Sequence, residues 1–92
     1  MRYKQDLHDF LNENLERMAE CHLECWKDRY EDYCVSDLEY DLSVNHDDSC
    51  EIERAEEELH RELTGNEVDY LCEKFHKEIV RQFKDNLLER LK

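Results

Sequence analysis

From Leu7 to Cys25, and again from Val68 to Leu91, apolar residues return every three or four positions, and the 92-residue chain has one glycine and no proline to interrupt them. That is the α-helical period, which puts residues i, i+3, i+4 and i+7 on one face, whereas a half-buried strand alternates every second residue. In the first stretch Leu7, Leu11, Leu15, Met18, His22 and Cys25 form the stripe, widened by Phe10, Ala19 and Trp26. The spacing predicts a helix from about Tyr3 to Tyr33, roughly 45 Å long at about 1.5 Å per residue. In the last stretch Leu71, Cys72, Phe75, Ile79, Val80, Phe83, Leu87, Leu88 and Leu91 make a broad apolar face over another long helix.

Between them the signals are local. Leu38, Tyr40, Leu42 and Val44 alternate as in a strand, but a lone strand has no partner. Ser36 and Glu39 have capping-box spacing, which favours a short helix with Val35, Leu38 and Leu42 inward, followed by a polar loop through Asn45 to Asp48. A further helix is expected from Asp48 or Ser49, whose side-chain oxygens can cap it, through Ile52, Ala55, Leu59 and Leu63. In Leu63-Thr64-Gly65-Asn66-Glu67-Val68 a capping box (Thr64, Glu67) lies inside a hydrophobic staple (Leu63, Val68), so the last helix starts there. The short turn suggests that these two helices pack on each other as a hairpin. The expected fold is all-α: one domain over residues 1–92, a small bundle of three to four helices with long first and last members. Apolar surface at the free ends of the long helices could be covered by a second copy, giving a homodimer.

Composition then limits the setting. Charged residues (42 %) outnumber hydrophobic ones (39 %), a balance close to that of disordered chains, and the helical periodicity is what argues for folding. No apolar run approaches the ~20 residues needed to cross a bilayer. The N-terminus has no signal-like apolar core, so an intracellular, cytoplasmic chain is expected. Five cysteines, Cys21, Cys25, Cys34, Cys50 and Cys72, show no disulfide framework. They are expected to be free thiols, mostly as small core or boundary residues.

The formal charge of −13 is unevenly placed. Residues 1–27 carry six acids and four bases, and residues 59–92 carry seven of each. Asp28 to Glu58 holds thirteen acids against Arg29 and Arg54, a net −11 in 31 residues. A charge run is commonly a solvated face, yet crowding like charges costs stability through self-repulsion, and solubility alone does not require them together. The same excess opposes direct nucleic-acid binding, since phosphates are repelled and no basic patch compensates.

Chemistry-bearing patterns are sparse. Cys21, His22, Cys25, His46 and Cys50 could supply zinc ligands on paper, but the paired knuckle spacings are absent and His22 lies on the core stripe. Glu57/His60 and Glu73/His76 each read Glu-x-x-His, as in di-iron bundles, but within one hairpin they fall out of register. Asp47, Asp48 and Glu51 lack the alternation and central glycine of a calcium loop. Each thiol sits among carboxylates, unlike a reactive cysteine. Neither catalysis, nor a cofactor, nor a metal site is expected.

A small helical chain with a charge of −13 and its acids gathered in the middle resembles the acidic inhibitors made by phages, among them anti-CRISPR proteins and anti-restriction DNA mimics. That resemblance is one of composition. It implies carboxylates that imitate phosphates and occupy a basic channel of a nucleic-acid-handling host protein, in the cytoplasm of a bacterium or an infected cell. The implied contact residues are Asp28, Glu31, Asp32, Asp37, Glu39, Asp41, Asp47, Asp48, Glu51 and Glu53, with Tyr30, Tyr33 and Tyr40 as aromatic contacts. The competing class is a structural or assembly protein that self-associates, or binds a partner helix, through its apolar stripes.

Overall fold

The computed structural model describes residues 5–90, the side chain of Arg90 excepted. Five helices occupy 84 % of the described residues, and no strand is present among them. They are α1 (Gln5–Cys25), α2 (Lys27–Tyr30), α3 (Val35–Val44), α4 (Ser49–Leu59) and α5 (Gly65–Arg90). None is long and apolar enough to cross a membrane.

The two long helices form the main pair, joined by contacts that fix their direction. Tyr70 Oη meets His8 Nδ1 at 3.1 Å, and Gln82 Nε2 donates to the carbonyl of Glu16 at 2.9 Å. Residue numbers rise together along the contact, so α1 and α5 run parallel. Two parallel neighbours need a return crossover, and here the acidic middle of the chain provides it: α3 packs against α5, and α4 against α1. The expected hairpin of α4 on α5 is therefore replaced by α4 on α1. The longest dimension, 42 Å, is about the length of α5 alone.

Leu7, Phe10, Leu11, Met18, Ala19 and Leu23 of α1 meet Leu71, Phe75, Ile79 and Phe83 of α5 in the core, which Leu38 and Leu42 of α3 and Ala55 of α4 close. Each large side chain fully buried there contributes about 1.5–3 kcal/mol. On α3, Leu38 and Leu42 are buried while Tyr40 and Val44 are exposed, so the apparent strand alternation is two helical faces.

Helix ends show where local signals hold. Thr64 Oγ1 accepts from Glu67 N at 3.2 Å and Glu67 Oε1 accepts from Thr64 N at 3.1 Å, the expected box. Arg61 adds to it a doubly bidentate clamp, to Glu67 at 2.7 and 2.9 Å and to Asp6 at 2.8 and 2.9 Å, tying the start of α5 to the start of α1. The left-handed residue before α5 is His60 (φ 56), the C-cap of α4, rather than Gly65. At α3 the cap lies two residues ahead of the expected Ser36: Cys34 N–H donates to Asp37 Oδ2 at 3.2 Å. At α4 it is Asp47, not Asp48 or Ser49, whose Oδ1 accepts from Ser49 N at 3.0 Å and Ser49 Oγ at 2.7 Å.

The predicted first helix spanned Tyr3 to Tyr33, and Tyr3 lies outside the described residues. At its other end α1 stops at Cys25, and α2 restarts after Trp26, whose backbone (φ −110, ψ 14) leaves the helical region. The physical reason is Tyr30. On an unbroken helix it would sit about 12 Å along the axis from His22. The interruption turns it inward, where its hydroxyl lies 3.1 Å from His22 Nε2.

Candidate functional site

The ten acids and three tyrosines singled out from the sequence are sorted by the crossover into two groups. Asp28, Glu31 and Asp32 on α2 and its following turn, Asp37 and Glu39 on α3, Asp47 in the loop and Glu53 on α4 are exposed. Tyr40 is exposed and Tyr33 half-buried. Asp41 and Tyr30 are buried and Asp48 and Glu51 half-buried, their side chains turned toward the interior.

Charge pairing is equally uneven. On α5 two bases are matched within the helix, Lys77 to Glu73 at 2.8 Å, and Arg81 to Glu78 at 2.6 Å and Asp85 at 3.2 Å, while Lys74 lies over the Tyr70 ring. Of the two bases in the acidic segment, Arg29 is committed to the buried Asp41 at 2.7 Å. No ion pair joins Asp28, Asp32, Asp37, Glu39, Asp47 or Glu53 to a base among the described residues.

The inward group lies in a polar pocket between α1, the loop before α4, α4 and α5. Arg29 and Asn45 both donate to Asp41, at 2.7 and 3.1 Å, and a long 3.5 Å contact links the Tyr30 hydroxyl to the same carboxylate. Since a carboxylate only accepts, the consistent proton order is His22 Nε2–H to Tyr30 and Tyr30 O–H to Asp41. The His22 ring packs edge-on against that of His46, with centroids 4.8 Å apart, and Phe75 contacts both. Asp48 Oδ1 lies 3.0 Å from His76 Nε2 and 3.1 Å from His46 Nε2, and Glu51 Oε2 is 3.8 Å from that same His46 nitrogen.

Burial sets the protonation states. It pushes the His22 pKa down to about 4, with help from His46 and His76, so the ring is neutral at pH 7. It also raises the Cys72 thiol to about 12, aided by Asp48, and Tyr30 to about 12, again with a nearby carboxylate, Asp41. Burial pushes the Asp48 carboxyl upward too, but hydrogen bonds from His76 and Cys72 outweigh it and hold the group below its usual range.

Two sets of donors lie close enough to share an ion: His22, His46 and Glu51, and His46, Asp48 and His76. Sequence spacing brought His22 and His46 together on paper with cysteines, yet no thiol belongs to either set, and four of the five thiols are exposed rather than core residues. His76 and Glu51 stand in the sequence only in other patterns, a Glu-x-x-His pair and a calcium-like run, because their grouping with His22 and His46 comes from elements that only the crossover brings together.

No protein-family model, curated protein or solved structure matches the chain.

Proposed function

We propose that the chain is an acidic protein-binding module whose outward carboxylates engage a basic surface, that of a nucleic-acid-handling host protein, in the manner of a nucleic-acid-mimicking phage inhibitor. The observation that carries this reading is the charge sorting. Three of the bases nearest the crossover are engaged elsewhere, Arg29 by the buried Asp41 and Lys77 and Arg81 of α5 by their own neighbours, and no ion pair reaches the exposed acids Asp28, Asp32 and Glu39 among the described residues, so these keep their field. Unpaired surface charge of one sign steers a partner of opposite sign, an effect screened beyond about 10 Å at 0.1 M salt.

Asp28, Asp32 and Glu39 are the residues to reverse, because all three are exposed; reversing Asp41 would break a buried ion pair and confuse unfolding with lost binding. Basic proteins captured from a bacterial lysate at low salt provide the partner. Its association rate is then measured with the Asp28/Asp32/Glu39→Lys variant and with a control reversing the exposed Glu13, Glu20 and Glu89. The first should lose binding, the control should change little, and added salt should slow wild-type association. Equal binding by both variants, or indifference to salt, refutes the reading.

One observation favours the competing assembly reading. Tyr40 (65 % exposed) and Val44 (59 %) lie one turn apart on α3, an apolar pair on which a second copy could dock to form a dimer. Sedimentation of wild type and Tyr40→Glu across a concentration series decides it: a dimer lost in the variant supports self-association.

A further inference from the structure

The inward half of the acidic segment carries an inference independent of the surface. Nε2 of His46 and Oε2 of Glu51 are both buried, neither has a hydrogen-bond partner, and they face each other at 3.8 Å. Buried polar atoms in native folds are nearly always satisfied, so two opposed orphans call for a missing partner. A proton on His46 would pair that nitrogen with Asp48 at 3.1 Å but leave Glu51, at 3.8 Å, still without a hydrogen bond. A cation between them would satisfy both atoms at once.

The surroundings fit a metal. His22 brings a third donor within 4.8 Å of the other two, and Asp48 Oδ1 lies 3.1 Å from the same His46 nitrogen. Tetrahedral zinc with bonds of about 2.0–2.2 Å separates its ligand atoms by roughly 3.3–3.6 Å. The distances of 3.1 and 3.8 Å bracket that range. The chain of hydrogen bonds from Asp41 through Tyr30 engages Nε2 of His22 and leaves its Nδ1 for the ion, the kind of outer support that metal-binding histidines have. In the neighbouring set Asp48 already pairs with His76, so the unsatisfied atoms select His22, His46 and Glu51. A hollow of about 250 Å³, with Cys21, Cys25 and Cys50 in its wall, reaches His22 and Glu51 from the surface and supplies an entry path.

We propose that His22, His46 and Glu51 bind one divalent transition-metal ion of the zinc class in this pocket, with Asp48 as the nearest further donor. Imidazole with carboxylate suits zinc, iron(II), cobalt(II) or nickel(II), whereas calcium and magnesium prefer all-oxygen sites. The proposal reverses the expectation from spacing that no metal binds.

The test is titration of the reduced, metal-stripped full chain with Zn²⁺ and with Co²⁺. One equivalent should bind, and the Co²⁺ complex should show visible d–d bands without a thiolate charge-transfer band. Glu51→Gln, nearly isosteric, should weaken binding at least about 100-fold, and His46→Ala should abolish it. Glu53→Gln, on the exposed face of α4, should bind as wild type. Circular dichroism checks that each variant folds, and Glu51→Gln carries the test if His46→Ala does not. A thiolate band would assign the ion to Cys21, Cys25 and Cys50 and overturn the proposal. So would unchanged affinity in Glu51→Gln, or no binding of either ion at micromolar concentration.

Discussion

Replacing Thr64 by Ala removes one acceptor at the start of α5, and the surrounding geometry sets how much that costs. The hydroxyl accepts from Glu67 N at 3.2 Å, one of the amides that a helix start leaves without an intrahelical partner. Thr64 is exposed, so water can partly replace it. The other arm of the box survives, because Arg61 holds the Glu67 carboxylate where the Thr64 amide can reach it. The loss should therefore fall near the middle of the usual range for caps, about 1 kcal/mol of roughly 0.5–2. For a domain of this size that lowers the melting temperature by about 4–8 °C. Urea unfolding followed by circular dichroism measures it, with Thr64→Ser as the variant that keeps the acceptor. If Thr64→Ala leaves the midpoint unchanged, or Thr64→Ser costs as much, the hydroxyl is not the cap.

Two further outcomes follow from the titrating groups. Arg61 holds the buried Glu67 carboxyl down to about 2 from an ordinary 4.5, against the upward push of burial, so its folded pKa lies below its unfolded one. Its contribution is full above pH 4.5 and is lost as pH falls towards 2, so the stability of wild type should drop more steeply over that window than that of Glu67→Gln; parallel curves would refute the clamp. Cys72 is half-buried and raised to about 12, while the other four thiols are exposed. Limited alkylation at pH 8, mapped by mass spectrometry, should modify Cys72 last, and uniform labelling would show the pocket to be open.

How legible these features were depended on how far apart the interacting residues lie in the chain. The Thr64 box is a three-residue interaction, and the inward set of α3 is a four-residue one; both could be read from spacing. The break at Trp26 could not, because the stripe from Leu7 to Cys25 gives no stop signal. What stops the helix is the inward turn of Tyr30 towards His22 and Asp41, a contact between three elements. Asp48 looked like a cap for the same reason. Locally it has the right chemistry, but His76, 28 residues away, takes its carboxylate, and Asp47 takes over at the helix end. Composition identified which residues were charged; only the parallel pairing of α1 and α5 decided which faced inward.

That pairing also makes the acid-rich segment the crossover of the fold. Parallel helices must be joined by a crossover, and one with a net charge of −11 repels itself unless something holds it down. Asp41 is held by Arg29 and Asn45 and Asp48 by His76, while Glu56 accepts the Leu63 amide at 2.9 Å. Glu51 alone among the inward carboxylates faces a nitrogen at 3.8 Å without a hydrogen bond. A bound cation there would place positive charge at the centre of the crossover and tie α4 to α1 without neutralising the exposed carboxylates of α2 and α3. The two halves of the segment are then separable. Losing the ion should loosen the crossover and leave the outward charge intact, whereas reversing Asp28, Asp32 and Glu39 should remove partner binding and leave the metal affinity as it was.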